Sequence, residues 1–204
     1  MADTTLLLNG TLGYAFQPWR GDKKLTTAGG WAPWWLSAAE DAPDWQHRRP
    51  VYTASVQDDQ QVQQVSTPWG THIGGLWQQV PAAIGNEYEL IVEGMGWSSE
   101  DPSPGSQLEA GDLNLQIGFD PTGGTDPKSP FIRWGDIAQP LSQWQTLRLT
   151  ATAESEIITV YLKSAPNLPK RQQSSFWRNA RLRPIGRHQR SMHIVGIGDT
   201  HIDV

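Results

Sequence analysis

The stretch Leu113-Asn114-Leu115-Gln116-Ile117-Gly118-Phe119-Asp120 alternates apolar and polar residues without a break. Successive side chains of an extended strand point to opposite faces. Leu113, Leu115, Ile117 and Phe119 therefore share one face, and Asn114, Gln116 and Gly118 share the other. A strand with one apolar and one polar face belongs to an antiparallel sheet that is wet on one side. The same period returns at Tyr88, Leu90, Val92 and Gly94. It returns again at Leu147 and Leu149, which oppose Arg148 and Thr150, and at Ile158, Val160 and Leu162, which oppose Thr159, Tyr161 and Lys163. Sheets of this kind bury their apolar faces against each other, so the pattern predicts an all-β sandwich of two antiparallel sheets.

The rest of the chain fits that frame. Helical periodicity is nearly absent, and 20 Gly and 15 Pro punctuate short β-rich runs, as in sandwiches and barrels. Strands are expected at Thr5–Asn9, Val51–Val56, Gln61–Val65, Gly75–Val80, Tyr88–Met95, Leu113–Phe119, Gln145–Ala153, Ile157–Ser164 and Phe176–Pro184. Pro18–Pro50, Ser98–Gly111 and Asp120–Arg133 read as long loops, which in a compact domain are usually functional or disordered. Residues 1–185 are expected to form one domain. Residues 186–204 read as a linker or the start of a following domain.

Charge and composition exclude several function classes. A net charge of −5 argues against nucleic-acid binding, which needs a basic face. The absence of Cys excludes disulfides, thiolate metal sites and a Cys nucleophile. No run approaches the roughly 18 apolar residues that cross a bilayer, so no membrane span is expected. The opening MADTTLLLNG lacks a signal peptide's basic region. The chain carries no GxSxG, HExxH or P-loop motif. A glycosidase carboxylate pair is allowed by residue types alone, but no acidic pair has surroundings that separate its pKa values.

What remains conspicuous is tryptophan, with 11 residues against four Tyr and four Phe. Indole packs well in a core, but its flat face also stacks on sugars, bases and cations. Trp77, Trp144 and Trp177 sit in strand patterns and are assigned mainly to the core. In Gly30–Trp35 (GWAPWW), Trp31, Trp34 and Trp35 cannot all enter one core, because neighbours alternate faces. Pro33 also blocks a central strand. One of these rings is read as a plug at the sandwich end, and Trp34 and Trp35 as stacking candidates. In PWGTH, Trp69 and His72 suit a sugar's C–H face and hydroxyl rim. The alternative there is a ring folded over the sandwich edge. Trp97, followed by Ser98, Ser99, Glu100 and Asp101, is a further ring candidate, and Gln63 joins His72 as a polar partner. In DPTGGTDP, Asp120 and Asp126 read as turn chemistry. Carboxylates and loop carbonyls also make oxygen cages for metals, but the spacing matches no EF-hand.

These motifs occur in a specific order. Asn9-Gly10, GWAPWW, STPWGTHIGGLWQQV (residues 66–80), GMGWSSEDPSPG, IGFDPTGGTDPKSP, Trp144 and FWRNARL (176–182) follow one another. Over roughly residues 5–184 the chain resembles carbohydrate-binding-module-like domains of Chloroflexi-type bacterial extracellular proteins, within the galactose-binding-like jelly-roll superfamily. The resemblance implies a jelly roll, a carbohydrate ligand and an extracellular setting. It also implies a structural Ca²⁺ held by carboxylates of the opening and closing strands. Here Asn9-Gly10-Thr11-Leu12-Gly13 and Trp177-Arg178-Asn179 provide neither carboxylate, so calcium is not expected at Gly13 and Asn179 and no cofactor is assigned. In the tail, GDTHID with Asp199 and His201 resembles the opening metal motif of calcineurin-like metallophosphoesterases and reads as a marker of a following catalytic domain. The expected function is non-catalytic carbohydrate binding by Trp69, Trp97, Trp34 and Trp35 with His72 and Gln63. The alternative is a structural or protein-interaction module, or an accessory domain of a larger hydrolase.

Overall fold

The computed structural model describes residues 5–100 and 113–187. Twelve strands and no helix form among them: β1 (Gln17–Trp19), β2 (Asp22–Thr27), β3 (Ala32–Trp35), β4 (Val51–Gln57), β5 (Gln60–Ser66), β6 (Gly74–Pro81), β7 (Asn86–Ser99), β8 (Gln116–Asp120), β9 (Arg133–Trp134), β10 (Gln145–Thr152), β11 (Ile157–Ser164) and β12 (Gln172–Arg187). They build two sheets, ordered β1-β2-β4-β5-β12-β7-β10 and β3-β6-β11-β8-β9. The fold is an all-β jelly-roll sandwich. One pairing departs from the expected antiparallel pattern: β2 runs parallel to β4, with Leu25 beside Tyr52.

The period-2 pattern sorts the core as the sequence indicates. Tyr88, Leu90 and Val92 from one sheet meet Leu115, Ile117, Phe119, Ile158, Val160 and Leu162 from the other, all buried. Trp177 is fully buried among them. It fits because its cross-strand partner is Gly94; a Cβ there would stand 3.2 Å from Trp177 Cζ3 and 3.1 Å from Leu115 Cδ1. Burying side chains of this size stabilises by roughly 1.5–3 kcal/mol each before entropy is counted.

Several expected boundaries differ. Thr5–Asn9 forms no strand. Its backbone turns after Leu6 N donates to Leu182 O at 2.9 Å, and Leu7 and Leu12 close one end of the core. Pro18–Pro50 is no continuous loop, because it contains most of β1 and all of β2 and β3. β3 holds Pro33 and lies at a sheet edge, where a missing N–H costs no ladder bond. β12 begins at Gln172, four residues earlier than expected, and continues past residue 185. Asp101, the rest of the loop to Gly111, and the tail with Asp199 and His201 lie outside the described residues.

Two tryptophans expected in the core lie on outer faces. Trp77 is half-buried on the smaller sheet, in a belt with Trp34, Trp134 and Tyr161. Trp134 fits across Gly118, where a Cβ would stand 2.7 Å from its Cζ3. Trp144 is half-buried on the outside of the larger sheet, against Val62, Met95 and Phe176. Its Nε1 donates to Asp58 Oδ2 at 2.8 Å, and the Arg178 guanidinium lies 3.8 Å from its ring centre.

Candidate functional site

The strand register aligns two rows on the outer face of the larger sheet. Thr53, Gln64, Phe176 and Met95 form one row, and Val51, Ser66, Ser174 and Trp97 form the next. Phe176 and Met95 with Val62 make an apolar floor, flanked by Trp97 and Trp144. Beside it the surface turns polar: Gln64 Nε2 donates to Ser174 Oγ at 2.8 Å. At that end a groove of about 410 Å³ opens between Gln64, Ser66, Trp69, Arg171, Gln172 and Ser174. Its size falls in the range that holds small ligands.

Trp69 forms the wall of this groove and is 55% exposed. Its φ is +53°, a left-handed conformation uncommon for a bulky non-glycine residue, and such strain persists only where the surroundings enforce it. They do so here by hydrogen bonds. Trp69 N donates to Lys170 O at 2.9 Å, Thr67 N to Gln173 O at 3.1 Å and Thr71 N to Trp45 O at 2.7 Å. The Arg48 guanidinium donates to the carbonyls of Pro68 and Trp69. Gln173 Nε2 donates to Gly70 O at 2.8 Å and also to Leu168 O, so it joins the two loops that shape the groove.

His72 faces inward, which corrects its assignment as a ligand partner. It is 0% exposed, with Nδ1 2.8 Å from Thr67 Oγ1 and Nε2 2.7 Å from Ser164 Oγ. Burial pushes its pKa down to about 3, because the charged imidazolium loses its hydration. The chain continues through Ser175 Oγ, 3.0 Å from Ser164 Oγ, to the indole N–H of Trp177 at 3.2 Å. His72 thus anchors the 67–73 loop to the core.

Gln63 and Trp34 are corrected in the same way. Gln63 is fully buried; its Oε1 accepts from Ala28 N and its Nε2 donates to the carbonyls of Thr26, Thr53 and Gln64, which ties β2 to β5. Trp34 is buried on the smaller sheet, with Nε1 3.2 Å from the carbonyls of Leu76 and Leu162. Trp35 is half-buried against the main core, with Arg49 5.2 Å from its ring centre. The sandwich therefore brings Trp69 and Trp97 to one face and leaves Trp34 and Trp35 on another sheet.

The chemistry of the groove is that of a polar, hydrogen-bonding surface beside rings. Trp97 Nε1 is buried without a partner, as are Ser98 Oγ and Gln173 Oε1. These three belong to adjacent positions, since Trp97 pairs with Ser174 and Ser98 with Gln173. Successive strand residues point to opposite faces, so Trp97 alone of the three shares the outer row with Ser174, while Ser98 and Gln173 are buried on the other side of the strand pair. Arg171, Gln172, Gln173 and Ser174 are the groove residues that sequence reasoning missed. The run KRQQSS has no apolar alternation to announce a strand, although its polarity on a sheet face was a readable signal.

A second hollow of about 320 Å³ lies between Asn9, Gly10, Thr11, Tyr14, Asn179 and Arg181, where the family resemblance implies calcium. The residues present do not fit the ion. Asn9 Nδ2 is committed to Tyr14 O and Thr11 Oγ1 to Asn9 Oδ1, Asn179 Nδ2 to Glu93, and Arg181 adds positive charge. Calcium requires six to eight oxygens with anionic character among them.

No family model matches the chain, and no curated protein matches it. Among solved structures it is similar to a CBM61 module, TmCBM61, in complex with β-1,4-galactotriose (9% identity, 89% of this chain and 99% of that one, TM-score 0.53). It is also similar to a CBM4 module (13% identity, 88% and 99%, TM-score 0.50) and to a Stig cyclase from Fischerella sp. TAU in complex with an indole compound (12% identity, 90% and 98%, TM-score 0.55). At these identities the likeness is one of fold, shared by binding modules and enzymes.

Proposed function

We propose that this domain is a non-catalytic carbohydrate-binding module whose ligand lies in the groove on the larger sheet. Trp69 stacks on a pyranose C–H face, Trp97 borders the same row, and Gln64, Gln172, Ser66 and Ser174 bond hydroxyls. The observation that carries this reading is the exposed Trp69 ring, held in left-handed backbone beside a polar groove. The likeness to carbohydrate-binding modules supports it, as does a described groove lining of neutral polar groups and one guanidinium, without a paired acid and base. By analogy with base stacking, each ring contributes roughly 1–3 kcal/mol. Two such contacts with a few hydrogen bonds give a Kd on the order of millimolar to tens of micromolar. Binding of that strength becomes useful through attachment to a larger assembly.

The test is intrinsic tryptophan fluorescence titration against a panel of oligosaccharides, paired with pull-down on insoluble polysaccharides, for the wild type and Trp69→Ala. Saturable binding that weakens at least about tenfold in the variant supports the proposal. Absence of binding to every glycan, with a concentration-dependent oligomer in light scattering, refutes it in favour of a protein-interaction module.

A further inference from the structure

Resting on the groove as a sugar site, we propose that its preferred ligand is an acidic oligosaccharide carrying uronic-acid carboxylates, selected by Arg171. Among the described lining residues Arg171 carries the sole charge; Gln64, Ser66, Pro68, Trp69, Gln172, Gln173 and Ser174 are neutral. The Arg171 guanidinium stands 5.8 Å from the centre of the Trp69 ring and is exposed. No ion pair or hydrogen bond engages it among the described residues, so its donors face solvent beside the stacking surface.

The neighbourhood strengthens the bias. The Arg48 guanidinium lies under the same loop at the carbonyls of Pro68 and Trp69. Lys170 sits next along the chain, paired with Glu100 at 3.0 Å. Two guanidiniums, Arg171 at the ring and Arg48 at the loop carbonyls, thus stand by Trp69 in a chain whose net charge is −5. A local positive field on an acidic protein repels nothing in a neutral sugar and attracts an anionic one. Guanidinium is the group whose planar donor fork matches a carboxylate in two parallel hydrogen bonds. A hexuronide places its carboxylate at the ring edge, so a ring stacked on Trp69 turns that edge toward a flanking cation.

The experiment compares trigalacturonate with its carboxyl-reduced, neutral counterpart by isothermal calorimetry at about 20 mM and about 0.5 M salt, where screening lengths differ several-fold. The wild type is expected to bind the acid about tenfold tighter at low salt, with the preference shrinking at high salt. Arg171→Gln brings the two affinities together, while Arg133→Gln, the same charge change at an exposed site on the other sheet, keeps them apart. Equal affinities in the wild type, or a preference that survives Arg171→Gln, overturn the selection by charge and leave carbohydrate binding standing. Loss of neither ligand in Trp69→Ala overturns the groove itself, and the inference with it.

Discussion

Acidification from pH 7 to pH 4.5 should destabilise this domain through His72. The imidazole is fully buried and its pKa falls from 6.5 to about 3 on folding. The unfolded chain therefore binds a proton that the folded chain refuses between these two values. Stability contributed by the neutral ring is fully present above pH 6.5 and is lost as pH falls toward 3. The slope in that window is about 1.4 kcal/mol per pH unit, so the loss is on the order of 3 kcal/mol by pH 4.5 and of 4 kcal/mol by pH 3. Against a typical stability of roughly 5–15 kcal/mol, this is a large share.

The geometry explains why the proton is refused. The buried chain is satisfied when Trp177 N–H donates to Ser175, Ser175 to Ser164, Ser164 to His72 Nε2, and His72 Nδ1–H to Thr67 Oγ1. Protonating Nε2 makes both ring nitrogens donors and leaves the Ser164 hydroxyl hydrogen without its acceptor. Urea unfolding at half-unit pH steps measures the slope, with His72→Asn as the non-titrating reference. Carboxylates held low by partners, such as Glu89 beside Arg183, lose their contribution only at lower pH and do not overlap most of the window. If the variant fails to fold, imidazole carbon NMR of the wild type reads the same quantity, with one histidine neutral down to about pH 4. A flat stability profile from pH 7 to 4.5, or an equal slope in His72→Asn, would refute the reasoning.

Three further outcomes follow from the geometry. Trp69→Ala should lower glycan affinity at least about tenfold while shifting the unfolding midpoint by about 1 °C or less, since the ring is exposed; differential scanning fluorimetry and the sugar titration check both halves. Thr159→Val should hold or raise stability by about 1 kcal/mol, because the buried Thr159 hydroxyl has no partner and the swap preserves shape; an unfolding free energy from urea titration lowered by more than about 1 kcal/mol would show a bond the structure lacks. Gly118→Ala should cost about 1–3 kcal/mol and alter Trp134 fluorescence, because the new Cβ meets Trp134 Cζ3; an unchanged spectrum and midpoint would contradict the placement of the ring.

The sandwich was legible because its strands carry strict alternation. Leu113 to Phe119 and Ile158 to Leu162 face the core as their period requires. β1–β3 were not legible: QPW and APWW contain Pro and consecutive Trp, and they hold their places as short strands at or near sheet edges rather than by pattern. Trp97 and Trp69 were legible as outward rings because one ends a strand and the other sits in a turn. Trp77 and Trp144 were misjudged because a sheet of this sandwich can bury rings on its outer side as well, under neighbouring aromatics. Period 2 tells which residues share a face, and is silent about whether the polar face is wet.

His72 shows the deeper reason that a binding list read from residue types goes astray. A polar side chain near an exposed ring has two uses, to touch a ligand or to hold the loop that presents the ring. In this fold the 67–73 loop must place Trp69 at φ +53°, and backbone strain of order 1–3 kcal/mol has to be offset by bonds from inside. His72 with Thr67, Gln173 with Gly70, and Arg48 with Pro68 and Trp69 supply them. The most polar-looking residues of the motif are consequently spent on rigidity. In the proposed site, contact would fall to the plainer groups that line the groove beside the ring, Gln64, Ser66, Ser174 and Arg171. A groove built this way is preorganised before any sugar arrives, so its affinity should be limited by the number of contacts rather than by the cost of ordering the loop.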